Sequence, residues 1–213
     1  MKRITFYLDF ISPYAMLAFE KLPEALKGLS YSVDLRPVLF GALLKHHGQL
    51  GPAEIGSKRD WTYRQVTWLG HANGVPIDMP AAHPFNPLPH LRLALACGED
   101  GLINRYVAET VFRHVWRGGA DAADAQRLAE LAGQLNPKRD PEGDAVKGEL
   151  KSNTAQAIAQ GVFGVPALVV DDKIFWGFDS LPMLRAWLEG DAWFEAHWDR
   201  AAQRPVGVQR ARS

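Results

Sequence analysis

The residues best suited to chemistry in this sequence lie where a predicted strand gives way to a predicted helix. Ser12 and Pro13 stand between an alternating apolar stretch over Arg3–Leu8 and a helix-periodic stretch over Ala15–Leu26. The Ser12 hydroxyl is expected to accept a free amide of the first helical turn, and Pro13 suits the first helical position. The amides and the dipole at such a helix start stabilise negative charge and lower the pKa of a nearby thiol. Ser12 is therefore a candidate to donate a hydrogen bond to a bound thiolate, although the Ser-Pro pair alone favours a plain helix cap.

The thiol has to come from a ligand, because the chain has one cysteine and it is not at position 12. Cys97 lies far from Ser12 along the sequence, in the apolar run Leu91–Cys97, and we expect it to be buried and unreactive. A single cysteine excludes an intramolecular disulfide and a Cys-x-x-Cys pair. A dithiol oxidoreductase is therefore excluded.

A second candidate feature is the segment Gly164-Val165-Pro166-Ala167, which precedes a predicted β-hairpin. The Val165–Pro166 bond is a candidate for the cis form, which X-Pro bonds adopt far more readily than other peptide bonds. In that form the N–H and C=O of Val165 face outward and can pair with an extended, peptide-like ligand. A trans turn proline is the alternative.

Several other kinds of site are excluded by missing patterns or by charge. The histidines form no His-Glu-x-x-His pattern and no cluster with cysteine, so no metal site is predicted. The chain lacks a Gly-x-Ser-x-Gly elbow, which argues against Ser12 as a hydrolase nucleophile. Lys plus Arg and Asp plus Glu both total 24, so no overall field points to nucleic acid or an anionic membrane as partner.

The length and the hydropathy of the chain bound its class. Its 213 residues suffice for one large domain or for one domain with an insertion. The apolar stretch near the N-terminus is interrupted by Asp9 and is too short for a signal peptide, and no window reaches the ~20 apolar residues of a membrane span. We expect a cytoplasmic protein whose residues 204–213 form a flexible tail that carries Arg204, Arg210 and Arg212.

Apolar periodicity and turn residues predict the remaining elements. The first helix is expected to break or bend at Pro23. A second strand is predicted over Tyr31–Arg36, and Ala167–Val170 and Lys173–Trp176 are expected to form the hairpin. Further helices are predicted over Leu39–His46, Lys58–Asn73, Leu91–Cys97, Leu102–Trp116, Asp121–Ala132, Asp144–Gln160, Ser180–Leu188 and Asp191–Ala202.

This order of elements is that of an α/β thioredoxin-like core with an all-helical insertion. A β-α-β unit is followed by a helical block and then by α-β-β-α. The predicted boundaries are 1–38 and 144–203 for the thioredoxin-like domain and 39–143 for the insertion. The helix over 58–73 carries one apolar stripe formed by Trp61, Trp68 and Ala72, and most of the seven tryptophans are expected in the core.

Three motifs together resemble the DsbA-like thioredoxin superfamily: Asp9–Tyr14, Gly161–Pro166 and Phe175–Asp179. Within it they are similar to the branch that contains 2-hydroxychromene-2-carboxylate isomerases and kappa-class glutathione transferases. The segments His83–Pro89 and Lys58–Trp61 favour the isomerase members. The resemblance covers nearly the whole chain, with the motifs in the same order.

The resemblance implies a site for glutathione. Ser12 would hold the glutathione sulfur as thiolate, in place of the cysteine of the oxidoreductases, and Val165 would form main-chain hydrogen bonds with the cysteinyl part. Asp179 and the amide of Ser180 would bind the γ-glutamyl end. Lys58 would meet a carboxylate of glutathione or of the substrate.

Two further positions follow from the same resemblance. The family commonly has Asn after the glycine that matches Gly48, whereas this chain has Gln49, which keeps the amide and reaches one methylene farther. Asn86 matches a position near the substrate pocket. His83 and His114 are candidates for a proton shuttle to a phenolic oxygen, against the more frequent role of a hydrogen-bonded core or surface histidine.

The function implied by the resemblance is a glutathione-dependent isomerase in the degradation of aromatic compounds. It would interconvert 2-hydroxychromene-2-carboxylate and trans-o-hydroxybenzylidenepyruvate, a small aromatic carboxylate substrate, and it would be a homodimer. A thiolate that adds reversibly to the carbon–carbon double bond allows rotation before it leaves. Two alternatives stay open: a kappa-like glutathione transferase or peroxidase acting on another electrophile, and a cysteine-less thioredoxin-like module that binds peptides.

Overall fold

A four-stranded mixed sheet forms the centre of the protein, in a computed structural model that describes residues 1–208. Arg210 and Arg212 of the predicted tail lie outside the described residues. The strands stand in the order β2-β1-β3-β4, with β1 parallel to β2 and antiparallel to β3, and β3 antiparallel to β4. This topology confirms the predicted thioredoxin-like fold. The strands are β1 (Lys2–Leu8), β2 (Tyr31–Pro37), β3 (Ala167–Val170) and β4 (Lys173–Trp176).

Helices surround this sheet, and each predicted helix is present. Short 3₁₀ helices at Pro52–Glu54 and Phe178–Ser180 were not predicted. The α-helices are α1 (Pro13–Ala25), α2 (Phe40–His47), α3 (Gly56–Ala72), α4 (Leu88–Ala96), α5 (Arg105–Trp116), α6 (Ala125–Leu135), α7 (Asp144–Ala159), α8 (Leu181–Glu189) and α9 (Trp193–Ala202). No helix among residues 1–208 combines the length and the apolar composition that crossing a membrane requires.

Some helix ends differ from the prediction because side-chain caps decide where a helix begins. Helix α5 starts after Asn104, whose side chain accepts the Val107 amide, and not at Leu102. Helix α6 starts after Asp124 for the same reason. Pro23 does not end α1, which continues to Ala25. A proline this close to the end removes one hydrogen bond of the last turns and leaves the rest of the helix intact.

The central strand β1 is buried on both faces, which fixes the direction of the chain into the site. Ile4, Phe6 and Leu8 lie in one apolar cluster with α1, whereas Tyr7 belongs to a second cluster with Val169. Side chains alternate between the two faces of a strand, so both sets follow from one alternating sequence. Because β1 is fixed on both faces, the residues that follow it, Asp9–Ser12, have a fixed position relative to the core.

Helix α3 packs with the opposite face to the one predicted. Trp61 and Trp68 are 61% and 64% exposed, and Thr62 and Gly70 lie on the buried side. A Cβ on Gly70 would lie 2.8 Å from the carbonyl oxygen of Val75, so only a glycine allows this close approach. The expectation that most tryptophans lie in the core is also wrong, since four are exposed: Trp61, Trp68, Trp176 and Trp193.

The predicted insertion, residues 39–143, and helix α7, which follows it in the predicted thioredoxin-like domain, both contact the sheet edge at β2, and the boundaries 39 and 143 stay a prediction. The Ile103 amide donates to the Leu35 carbonyl at 3.1 Å, which adds a single bridge beside β2. Asn153 of α7 donates to the Pro37 carbonyl at 3.0 Å. Cys97 in the insertion is half-buried and not fully buried as expected, although burial still raises the pKa of its thiol, which disfavours the reactive thiolate.

Candidate active site

Ser12 lies at the start of α1, as the sequence predicted. Its backbone is extended and its Oγ accepts the Ala15 amide at 3.2 Å, which makes Ser12 the N-cap, with Pro13 at the first helical position. The Ser12 amide donates to the Asp9 carbonyl at 3.1 Å. The residue is 6% exposed. The hydroxyl therefore lies in a nearly dry position at the positive end of the helix dipole.

Val165 faces Ser12 from the other side of the site. The Val165–Pro166 bond is cis, as predicted. The Ser12 hydroxyl donates to the Val165 carbonyl at 3.4 Å, across 153 residues of sequence. This distance exceeds the usual 2.5–3.0 Å of an O–H···O hydrogen bond, so the hydrogen bond is weak. The hydroxyl hydrogen can therefore turn to a stronger acceptor, such as an anion, at little cost.

A buried carboxyl precedes Ser12, and sequence reasoning gave it no role. Asp9 is fully buried, with Oδ1 accepting the Ile11 amide at 3.2 Å and Oδ2 accepting the Phe40 amide at 2.9 Å. Burial raises the pKa of the Asp9 carboxyl to about 7, although these donated N–H groups act in the opposite direction. The sequence feature that could have indicated a buried carboxyl is a single acidic residue between two apolar residues, Leu8 and Phe10.

Two backbone carbonyls just before Ser12 are bound by side chains from the part of the chain between β2 and β3. We call residues Asp9–Ser12 the Ser12 turn. Trp116 Nε1 donates to the Phe10 carbonyl at 2.8 Å, and His83 Nε2 lies 2.9 Å from the Ile11 carbonyl. Burial lowers the pKa of His83, and its hydrogen bond to the Ile11 carbonyl partly offsets this. The Ser12 turn thus depends on contacts with residues far away in sequence.

The second histidine considered as a shuttle, His114, also contacts main chain. Its Nε2 lies 3.3 Å from the Ala122 carbonyl, which His90 Nε2 approaches at 3.0 Å. Burial lowers the pKa of His114. His83 and His114 are thus both hydrogen-bonded histidines, which was the alternative to a shuttle.

Asp179 lies in the 3₁₀ helix that follows β4 and faces the first turn of α1. Burial raises the pKa of Tyr14 in that turn, a hydrogen bond with Thr62 acts in the opposite direction, and the charge of Asp179 raises it further. Gly177 has a φ of 93°, and a Cβ there would lie 2.5 Å from Asp179 Oδ1. Glycine at this position therefore allows the turn that presents Asp179. The Ser180 amide donates to the Gly177 carbonyl at 3.3 Å.

Three other predicted site residues lie at the surface, and none of them is hydrogen-bonded to Ser12 in the part of the chain that the structure describes. Gln49 follows α2 and is exposed, and Lys58 is exposed near the start of α3. Asn86 is also exposed, and its Oδ1 accepts the Leu88 amide at 3.1 Å where α4 begins. The structure thus joins Ser12 and Val165 directly, whereas within the described residues no hydrogen bond links these three side chains to either of them.

An aromatic pair adjoins Val165. The rings of Phe163 and Trp176 lie 4.9 Å apart between centroids, and Trp176 is 53% exposed. A Cβ on Gly164 would lie 2.7 Å from Trp176 Nε1, so glycine permits the packing. Among residues 1–208, no group of three or more His, Cys, Asp or Glu side chains is arranged to hold a metal ion. The site therefore offers the hydroxyl of Ser12, the carbonyl of Val165, the exposed carboxylate of Asp179 and the aromatic surface of this pair.

A thioredoxin-like fold with a serine at the start of its first helix and a cis proline opposite defines the class of this protein. Comparison with known families names this class. The chain belongs to the family of DsbA-like thioredoxin domains, whose model matches residues 3–189. This confirms the resemblance found from the three motifs.

Individual relatives narrow the comparison. The chain is 29% identical to a 2-hydroxychromene-2-carboxylate isomerase of Sphingobium xenophagum, over 88% of this chain and 98% of that protein. It is 26% identical to glutathione S-transferase kappa 1 of Rattus norvegicus, over 88% of this chain and 90% of that protein. The solved structure of a 2-hydroxychromene-2-carboxylate isomerase shares the fold, with a TM-score of 0.73 and 22% identity over 92% of this chain and 98% of that chain. These relatives are enzymes of two kinds, isomerases and glutathione transferases.

Proposed function

We propose that this protein is a glutathione-dependent isomerase that interconverts 2-hydroxychromene-2-carboxylate and trans-o-hydroxybenzylidenepyruvate. The observation that carries the proposal is the Ser12 hydroxyl, buried at the start of α1 and only weakly bonded to the Val165 carbonyl at 3.4 Å. Such a hydroxyl suits a ligand thiolate better than a thiol of the protein, since the chain has one cysteine and it lies elsewhere. The isomerase relative at 29% identity supports the choice of reaction.

The part of the site around Ser12 would stabilise the reactive sulfur. When bound, glutathione supplies a thiol that can add reversibly to the substrate double bond and so permit rotation about it. A free thiol has a pKa of about 8.5, so at neutral pH it is mostly protonated. The Ser12 hydrogen bond and the amides at the start of α1 favour the anion, and each unit by which they lower the pKa is worth about 1.4 kcal/mol. The chain thereby makes more of the nucleophile available.

The exposed residues around this centre would hold the rest of glutathione. We call Gln49, Lys58 and Asp179 the rim residues. Asp179 would accept hydrogen bonds from the γ-glutamyl ammonium group, while Lys58 would pair with a carboxylate. The carbonyl of Val165 would accept a main-chain hydrogen bond from the cysteinyl residue once the Ser12 hydroxyl turns to the sulfur. Asn86 would contact the aromatic carboxylate substrate.

The test is the rate of interconversion of the two compounds, followed by absorbance with and without glutathione. We expect fast isomerisation that needs glutathione, and no comparable rate with S-methylglutathione, which fills the site but has no free thiol. Isomerisation that proceeds equally well without glutathione would contradict the proposal. Binding of glutathione, measured separately by calorimetry, shows whether the site or only the reaction has been misassigned.

The transferase relative supports a second candidate, a kappa-like glutathione transferase or peroxidase. Both activities need the same thiolate, so the Ser12 environment does not discriminate between them. Conjugation of glutathione to an aryl halide, or reduction of a hydroperoxide, without isomerase activity would favour this second candidate. The homodimer and the cytoplasmic location also remain proposals, and sedimentation of the purified protein tests the first.

A further inference from the structure

The peptide group that joins Ile11 to Ser12 is hydrogen-bonded at both of its polar atoms. Its oxygen lies 2.9 Å from His83 Nε2, and its nitrogen, the Ser12 amide, donates to the Asp9 carbonyl at 3.1 Å. A carbonyl oxygen only accepts hydrogen bonds, so Nε2 of His83 carries the hydrogen. A rotation of this peptide plane would break both bonds and would change the φ angle of Ser12, on which the direction of its side chain depends.

His83 is itself held in a defined orientation. The Tyr63 hydroxyl lies 2.9 Å from His83 Nδ1 and 2.7 Å from the His83 carbonyl oxygen. The imidazole also packs beside the ring of Trp116, with centroids 5.5 Å apart. Trp116 in turn donates to the Phe10 carbonyl at 2.8 Å. Two neighbouring carbonyls of the Ser12 turn are thus bound by two side chains that contact each other.

We propose that His83 is a positioning residue: its Nε2–H holds the Ile11–Ser12 peptide group and thereby sets the direction of the Ser12 hydroxyl. The imidazole need not touch the substrate or glutathione. This gives the His83–Pro89 segment a role at the Ser12 end of the site. The expected effect on catalysis rests on the proposed function, whereas the effect on the Ser12 turn itself does not.

The side chains of glutamine and asparagine separate this role from simple packing. In His83→Gln the amide nitrogen can reach the place of Nε2 and donate to the Ile11 carbonyl. In His83→Asn the shorter amide ends near the place of Nδ1, so it can still meet Tyr63 but cannot reach Ile11. The two variants therefore differ in the one hydrogen bond that the proposal concerns.

The first measurement uses the protein without glutathione and follows amide hydrogen exchange by NMR. We expect the Ser12 amide to exchange at least about tenfold faster in His83→Asn than in the wild type, since loss of about 1.4 kcal/mol of local stability gives that factor. His83→Gln should stay within about threefold of the wild type. Equal exchange in both variants would overturn the proposal, whatever the protein does with glutathione.

The second measurement follows the thiolate of bound glutathione by its ultraviolet absorbance as pH changes. We expect a higher thiol pKa in His83→Asn and a kcat about 10 to 100 times lower, because a misplaced hydroxyl stabilises the anion less. The Kd of S-methylglutathione should change little, since the rim residues are untouched. A purely structural histidine would lower thermal stability in both variants and leave the thiol pKa unchanged, which would also overturn the proposal.

A measurement on the wild type keeps the proposal testable if His83→Asn does not fold. Nitrogen-15 NMR of the imidazole distinguishes which ring nitrogen carries hydrogen. We expect an Nε2–H that exchanges slowly and shows a hydrogen-bonded chemical shift. An imidazole with hydrogen on Nδ1 alone would contradict the assigned hydrogen bond and, with it, the positioning role.

Discussion

The Ser12 turn and the rim residues differ in how firmly the fold holds them. In the turn, Ser12 and Asp9 are buried, and each polar group described above has a hydrogen-bond partner, several of them distant in sequence. The rim residues are exposed, and within the described residues no hydrogen bond to another side chain fixes Gln49 or Lys58. One part of the candidate site is therefore preformed, and the other can adjust.

This difference assigns separate tasks to the two parts. Stabilising an anion requires donors that are already oriented, since reorienting them during the reaction would raise the barrier. Holding a flexible peptide requires side chains that can follow it, and their contribution comes mostly from charge and hydrogen bonds at the surface. Changes in the Ser12 turn should therefore act on kcat or on stability, whereas changes in the rim residues should act on the KM for glutathione.

The largest effect is expected for Ser12→Ala. Under the proposed function the variant loses the hydroxyl that would donate to the glutathione sulfur, so kcat should fall about 10²–10³-fold, the usual cost of removing one preorganised donor. It also loses the helix cap, which lowers the free energy of unfolding by about 1 kcal/mol. Steady-state kinetics and urea unfolding measure the two losses.

The matched control is Asn104→Ala at the start of α5, where the side chain accepts the Val107 amide in the same way. This variant should lose a similar free energy of unfolding with unchanged kcat. If both variants lost activity equally, the effect of Ser12 would be that of a helix cap and the assigned chemistry would be wrong.

The next effect in size concerns the pH dependence of stability and is carried by Asp9. Its pKa rises from 3.8 to about 7 on folding, because burial disfavours the charge. Between these values the folded protein keeps a proton that the unfolded chain has lost, so the contribution of Asp9 to stability falls as pH rises, by at most about 1.4 kcal/mol per unit. Above the folded pKa this contribution stays constant.

Asp9→Asn removes the titrating group and should flatten this part of the curve. Asparagine cannot accept both amides, so we expect the variant to be less stable than the wild type at pH 4 and to approach it by pH 8. Urea unfolding of both proteins across this range gives the difference. Asp199→Asn, at an exposed position of α9, controls for the substitution. A difference that widened with pH would show that Asp9 is charged and stabilising in the folded state.

The same contrast between buried and exposed parts explains what the sequence could and could not predict. The Ser12 cap follows from local chain chemistry, whereas the cis bond before Pro166 was predicted from its place before a strand of this fold, and both are confirmed. The contacts of Asp9 with Phe40 and of His83 with Ile11 span 31 and 72 residues, respectively. Such contacts depend on how the helices pack, and no local pattern announces them.

Helix α3 shows a second reason for failure. The prediction ranked its faces by hydrophobicity, and so took Trp61 and Trp68 for the buried side. The structure buries Gly70 instead, and the chain at Val75 approaches it too closely for any larger residue. The buried face carries Val66 as well as Gly70, and a tight approach of this kind is a property of the folded chain that hydrophobicity does not reveal.

Among the rim residues, Asp179→Asn should have the largest effect. Under the proposed function, loss of the negative charge would weaken a charge-assisted hydrogen bond to the γ-glutamyl ammonium group, so the KM for glutathione should rise about tenfold, with little change in kcat. Asp199→Asn serves again as control, because it makes the same charge change at a distant exposed position. A fall in kcat at saturating glutathione, with unchanged KM, would place Asp179 with the Ser12 turn and break the division of tasks.

The smallest effect is expected at Gln49. Its side chain is exposed at the end of α2, so Gln49→Ala should change the free energy of unfolding by less than about 0.5 kcal/mol. One neutral hydrogen bond to glutathione would be lost, which raises KM by about two- to tenfold. Gln134→Ala, an exposed glutamine of α6, should leave KM unchanged.

Gln49→Asn distinguishes whether the amide group itself or the length of the side chain that carries it matters at this position. The rim tolerates movement, so an amide one methylene shorter should still find glutathione, and KM should stay within about twofold of the wild type. If Gln49→Asn were as impaired as Gln49→Ala, the rim would be as narrowly defined as the Ser12 turn. The Ser12 turn and the rim residues would then differ in burial, but they would not differ in how precisely glutathione binding requires their side chains to be placed.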